Sequence, residues 1–162
     1  MSVSGTHDTA LPRRVRQTST LPPAEPLPES LAGSRSLPYR AIDTELSELR
    51  LQIPGVNGCV LGGVDGLLIT HNMPEGSRPD DLAALAASTF GLGRQVGLSL
   101  GQGSFRQSTV RNAGGYLSVY AVSSQALLAV VGEDAVNVAR LHLHAPGVAE
   151  RLAILLAQAF EG

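Results

Sequence analysis

Apolar residues return at two different periods along this chain, and the switches between them mark out the elements. From Ala41 onward Ile42, Leu46, Leu49 and Ile53 recur at helical spacing, and Pro54-Gly55 ends the run as a helix terminator does. Val60-Leu61 and Leu67-Leu68-Ile69 flank Val64-Asp65-Gly66, an Asp-Gly turn that predicts two paired strands. Ser77, Pro79 and Asp80 open a second helix expected over 79–98, with Leu82, Leu85, Thr89, Leu92 and Val96 on one stripe. Its other surface is unusually small, made of Ala83, Ala84, Ala86, Ala87, Ser88, Gly91 and Gly93, so close approach to that backbone is expected.

Beyond Gly101 and Gly103 the period falls to two. Residues 104–111 alternate, with Phe105, Gln107 and Thr109 on one face and Arg106, Ser108 and Val110 on the other. Ala113-Gly114-Gly115 turns into a strand over 116–122, and Ser123-Ser124 into another over 125–131, whose run Ala126 to Val131 is apolar on both faces and therefore expected to be covered. A helical stretch over 135–160 carries Val148, Leu152, Leu155, Leu156 and Ala159 as its stripe, with Pro146 expected to kink or interrupt it. The order helix, two strands, helix, three strands, helix has no alternating crossover pattern, so the fold class expected is α+β with a five-stranded antiparallel sheet.

Residues 1–40 read differently. Six prolines lie between Pro12 and Pro38 and no aromatic precedes Tyr39, so this stretch is expected to be a disordered Pro-rich arm ahead of a domain over 41–162. Arg13, Arg14 and Arg16 make it locally basic, and Pro23, Pro26 and Pro28 suit a polyproline II stretch. The formal charge of −2 gives no overall pull toward nucleic acid or anionic membrane. No apolar run approaches the ~20 residues of a membrane span, and the single Cys59 has no partner for a disulfide, so a cytoplasmic protein without a transmembrane segment is expected.

Motifs that carry chemistry are sparse. Gly97-Leu98-Ser99-Leu100-Gly101 matches a hydrolase nucleophile elbow, with Asp134 and His142 in the matching chain order. An elbow needs a strand before the serine and a helix after it, and here the order is reversed. His142 and His144 lack a carboxylate or cysteine cluster to complete a metal site and read as solvated helix histidines. The glycines from Gly55 to Gly66 lack a lysine-bearing phosphate loop, and Asp80 and Asp81 complement a helix N-terminus. No enzyme activity, cofactor or metal is expected.

Leu51 to Val56 with its Ile-Pro-Gly, Gly58, Val64 to Ile69 across the hairpin, Asp81 to Ala87, and Leu127 to Val131 followed by Val136-Asn137-Val138-Ala139 together resemble the roadblock / dynein light chain 7 family over about 42–160. The resemblance is to its actinobacterial branch, often encoded beside a Ras-like GTPase and a histidine-kinase-like protein. It implies a profilin-like layered fold and a non-catalytic homodimer joined by middle strands and second helices. The assembled surface would dock a Ras-like small GTPase or serve as a signalling scaffold. The interface so implied comprises Leu85, Ala87, Ser88, Gly91, Arg94, Phe105, Gln107 and Thr109. The rival expectations are a small-molecule-sensing module and a pure scaffold for a kinase-like complex.

Overall fold

The computed structural model describes residues 36–160. The expected arm lies outside them apart from its last five residues, of which Leu37 packs against the core and Tyr39 and Arg40 begin the first helix. In chain order the elements are α1 (Tyr39–Gln52), β1 (Val56–Gly63), β2 (Leu68–Asn72), α2 (Pro79–Ser99), β3 (Gln107–Asn112), β4 (Gly115–Ala121), β5 (Ala126–Glu133) and α3 (Val138–Phe160). The strands form one antiparallel sheet in the order β2-β1-β5-β4-β3, so the expected α+β class and all five strands are present.

The hairpin between β1 and β2 forms where the Asp-Gly signal lies. Gly66 takes φ +90°, a region that favours glycine, and Asp65 Oδ1 accepts from the Leu67 amide at 3.1 Å. β5 sits at the centre of the sheet, registering Leu128 against Leu61 of β1 and Tyr120 of β4. Its two apolar faces are both covered. Leu128 and Val130 face α1 and α3 together with Cys59, Leu61 and Tyr120. Leu127 and Ala129 face α2 together with Val60 and Val119. The molecule is therefore three layers, two helices on one face of the sheet and one on the other.

α1 is held by Ile42, Leu46 and Leu49, all fully buried, and by an ion pair from Arg151 Nε of α3 to Glu45 Oε2 at 2.8 Å. It also clamps β2, since Asn72 Nδ2 donates to Ser47 Oγ at 2.7 Å and Arg50 Nη1 donates to Asn72 Oδ1 at 3.0 Å. α3 begins at Val138 rather than 135 because Asn137 caps it, its Oδ1 accepting from the Arg140 amide at 2.9 Å. It then runs through Pro146 without interruption. Pro146 is exposed and removes only one backbone bond, while Leu141, Ala145, Val148, Ala149 and Leu152 on the buried side keep both halves on the sheet.

Cys59 lies under α1, with its Sγ 3.9 Å from the Leu46 carbonyl oxygen. Burial pushes its thiol from 9.0 up to about 12, with Arg50 opposing, and burial likewise pushes Tyr120 from 10.0 up to about 12, with a hydrogen bond from Ser118 opposing. Above pH 9.0 the unfolded chain releases the Cys59 proton and the folded chain keeps it. Stability present in full below that pH is therefore expected to decline between pH 9 and about 12, by up to ~1.4 kcal/mol per pH unit from this group. Urea melts of wild type and Cys59→Ala at several alkaline pH values check this, the variant showing the shallower decline.

Candidate functional site

α2 carries the residues that matter most, and the structure turns it differently from its pattern of large and small side chains. The face on the sheet is built from Ala83 and Ala86, both fully buried, with Phe90 and Gly97. Small residues let the helix axis come close to the strands, and Phe90 then fills the space at the centre. The close approach expected on the small side is real, and it comes from the chain itself. After α2 ends, with Gly101 at φ +65° and the Gln102 amide donating to the Gly97 carbonyl at 2.9 Å, the segment 102–106 doubles back across the helix. A Cβ on Gly97 would meet the Gly103 carbonyl oxygen at 2.5 Å, and one on Gly93 would collide with the Phe105 ring.

Phe105 thereby leaves the face assigned to it. It precedes β3, and its ring packs edge-on to Phe90, with centroids 5.0 Å apart, on the α2 side of the sheet. Thr109 points to the opposite face, where its Oγ1 lies 2.9 Å from Ser118 Oγ and 3.3 Å from His142 Nε2. His142 Nδ1 is 2.8 Å from the Tyr120 hydroxyl. His142 is thus half-buried and joins α3 to β3 and β4; it is not a solvated histidine. The four side chains form a closed polar cluster around Ser118, which is fully buried.

The eight interface candidates do not form one patch. Leu85 is 60 % exposed, Ser88 and Gly91 lie on the outermost surface of α2, and Gly91 has nothing within 4 Å of where a Cβ would stand. Ala87 is half-buried beneath Gly66 of the hairpin. Arg94 lies on another flank of α2, beside Leu98, and lines a groove of ≈ 670 Å³ with Phe90, Phe105 and the turn between β4 and β5. Gln107 and Thr109 are on the α3 side of β3.

What the candidate list omits is the continuation of the large stripe. Leu92 is 68 % and Val96 44 % exposed, in a row with Leu85 and Thr89. Leu92 and Val96 border a second groove of ≈ 430 Å³ shared with Gln107 and Ser108 of β3. Val110, two residues from Ser108 and so on the same face, is 41 % exposed. Among the described residues β3 is an edge strand, with β4 as its one neighbour in the sheet. An open strand edge and a row of large apolar side chains therefore lie side by side. The presence of leucines at 85 and 92, where the sheet-facing positions are filled by alanines, is the signal that marks them.

Ser99 ends α2 and its Oγ accepts from Gln95 Nε2 at 3.4 Å, Asp134 pairs with Arg111 at 3.5 Å, and His142 is held as described. The three side chains of the elbow-like motif thus each have other partners and do not meet. Among the described residues there is no cluster of three or more His, Cys, Asp or Glu placed to hold a metal, and no helix is long and apolar enough to cross a membrane.

Comparison with known proteins sets this chain in a family. Residues 42–132 match the model of the Roadblock/LC7 domain. The crystal structure of a Roadblock/LC7 domain from Streptomyces avermitilis superposes with a TM-score of 0.67 at 28 % identity, covering 71 % of this chain and 97 % of that one. The gliding protein MglB from Thermus thermophilus superposes with a TM-score of 0.66 at 22 % identity, covering 77 % and 93 %. An uncharacterised protein of Methanocaldococcus jannaschii is 24 % identical over 111 residues, which are 68 % of this chain and 96 % of its relative. With the family model spanning more than half its length, this chain belongs to the Roadblock/LC7 domain family.

Proposed function

We propose that this protein is a non-catalytic cytoplasmic homodimer that regulates or scaffolds a Ras-like small GTPase. The observation that carries the reading is the apolar row Leu85, Leu92 and Val96 beside the open edge of β3. A row of this kind can meet its own copy across a two-fold axis, so that each leucine buries against the other helix. The same operation lets β3 pair with β3 of the second copy, continuing the sheet through main-chain hydrogen bonds. Gly91, which costs about 1 kcal/mol relative to alanine in an exposed helix, fits a position where two helices come close.

Family membership supports the regulatory role, and the fold shared with MglB, a gliding protein, is in keeping with it. The test is capture of a Ras-like small GTPase, loaded with a GTP or a GDP analogue, on the immobilised full chain. Retention of one nucleotide form at least about tenfold above the other is the expected result. Retention of neither form, with a histidine-kinase-like protein retained instead, would replace the GTPase reading by that of a scaffold.

A further inference from the structure

Charge is segregated in this fold. From Leu82 to Gly132, which takes in α2 beyond its first turn, β3, β4 and β5 up to the residue before Glu133, there is no Asp or Glu, and the charged residues are Arg94, Arg106 and Arg111. The other described residues carry ten carboxylates against five arginines. Arg111 pairs with Asp134, whereas Arg94 and Arg106 form no ion pair among the described residues. Both flank the segment Ser104-Phe105, Arg94 at the ≈ 670 Å³ groove and Arg106 on the far side of the Phe105 ring.

The groove has an apolar floor of Phe90, Phe105 and Leu98, and Leu98 is 70 % exposed. Its rim is Arg94 on one side and Ser123, Ser124 and Gln125 on the other. At 100° per residue, Arg94 and Leu98 lie on the flank of α2 opposite Leu92 and Val96, so the groove is distinct from the row assigned above to self-association. A guanidinium is weakly hydrated and presents a planar fork that matches a carboxylate, and against an apolar wall that pairing is less screened than in open water. A phosphate polymer needs a succession of cationic contacts, and Arg94 is the one cation among the described residues that line this groove.

We propose that this groove docks a segment of a partner protein in which an apolar side chain stands next to an Asp or Glu, the apolar group on Phe90, Phe105 and Leu98 and the carboxylate on Arg94. This rests on reading the chain as a docking module, but on neither the partner being a GTPase nor the dimer.

Panning a phage-displayed library of random dodecapeptides on the full-length protein tests it, with binding of enriched peptides then followed by fluorescence anisotropy. Enriched peptides are expected to place Asp or Glu beside Leu, Ile or Phe. Arg94→Glu should weaken them by about tenfold or more, and Arg94→Gln by less, while Arg140→Glu on the other side of the molecule leaves them within about twofold. Sedimentation equilibrium on the same preparations keeps the two readings apart. A monomeric wild type that still binds acidic peptides would refute the dimer and leave the groove standing. The groove proposal fails if no peptide is enriched, if enriched peptides are basic or uncharged, or if Arg94→Glu binds them normally. It also fails if that variant becomes monomeric, or if a single-stranded oligonucleotide or phosphatidylserine vesicles bind through Arg94 in preference to the peptides.

Discussion

Leu92→Arg is expected to convert the proposed dimer to a monomer while leaving the fold intact. Leu92 is 68 % exposed within one copy and touches none of the core that α2 makes with the sheet, so the folded monomer loses almost nothing. In a two-fold assembly the substitution is felt twice. Burying most of a leucine contributes about 1.5–3 kcal/mol, so losing part of that in both copies amounts to about 2–4 kcal/mol, or roughly 30- to 700-fold in dissociation constant. The introduced guanidinium adds a further cost, because it would face its symmetry mate with no carboxylate anywhere in 82–132 to receive it. Sedimentation equilibrium reads the association and urea melting reads the fold. A variant that remains dimeric at micromolar concentration would show that α2 does not mediate self-association through this row.

Leu128→Ala is expected to do the reverse, weakening the fold before anything else. Leu128 is fully buried at the middle of the central strand, registered between Leu61 and Tyr120 and covered by α1 and α3. A leucine truncated in such a place leaves a cavity that strands on both sides and two helices above cannot close, a loss of about 2–5 kcal/mol. For a domain of this size whose whole stability is of order 5–15 kcal/mol, that lowers the melting temperature by roughly 10–20 °C. The loss should appear as a lower urea midpoint with an unchanged slope, followed by circular dichroism. A shift below about 0.5 kcal/mol would mean that this part of the core relaxes around the missing atoms.

These two leucines also show what could be read before the structure was known. The run Ala126 to Val131 announces a covered strand because no other arrangement hides both its faces, and Asp65-Gly66 announces a hairpin because the turn geometry is local. α1 is legible for the same reason, its apolar period matching the helix that forms. α2 is not. Hydrophobicity ranks Leu85 and Leu92 as the buried side, yet the sheet selects Ala83 and Ala86, because the distance between helix and strands is set by the neighbouring chain and not by the helix. Period-two alternation failed at Phe105 for a related reason: the strand begins two residues later, after a segment whose path is dictated by Gly97 and Gly103. His142 reads as solvated from the sequence because its partners, Thr109 and Tyr120, are 33 and 22 residues away.

A sheet has two ends, and only one of them invites growth. Were β2 as open as β3, each pair of copies would present fresh strands outward and could add others without limit, which is how fibrils begin. β2 is five residues long, and its last residue, Asn72, is tied down by Ser47 and Arg50 from the helix above. Short and strapped, it makes a poor template. Assembly through the free edge would thus stop at two, and in the proposed dimer the clamp on Asn72 would guard against polymerisation.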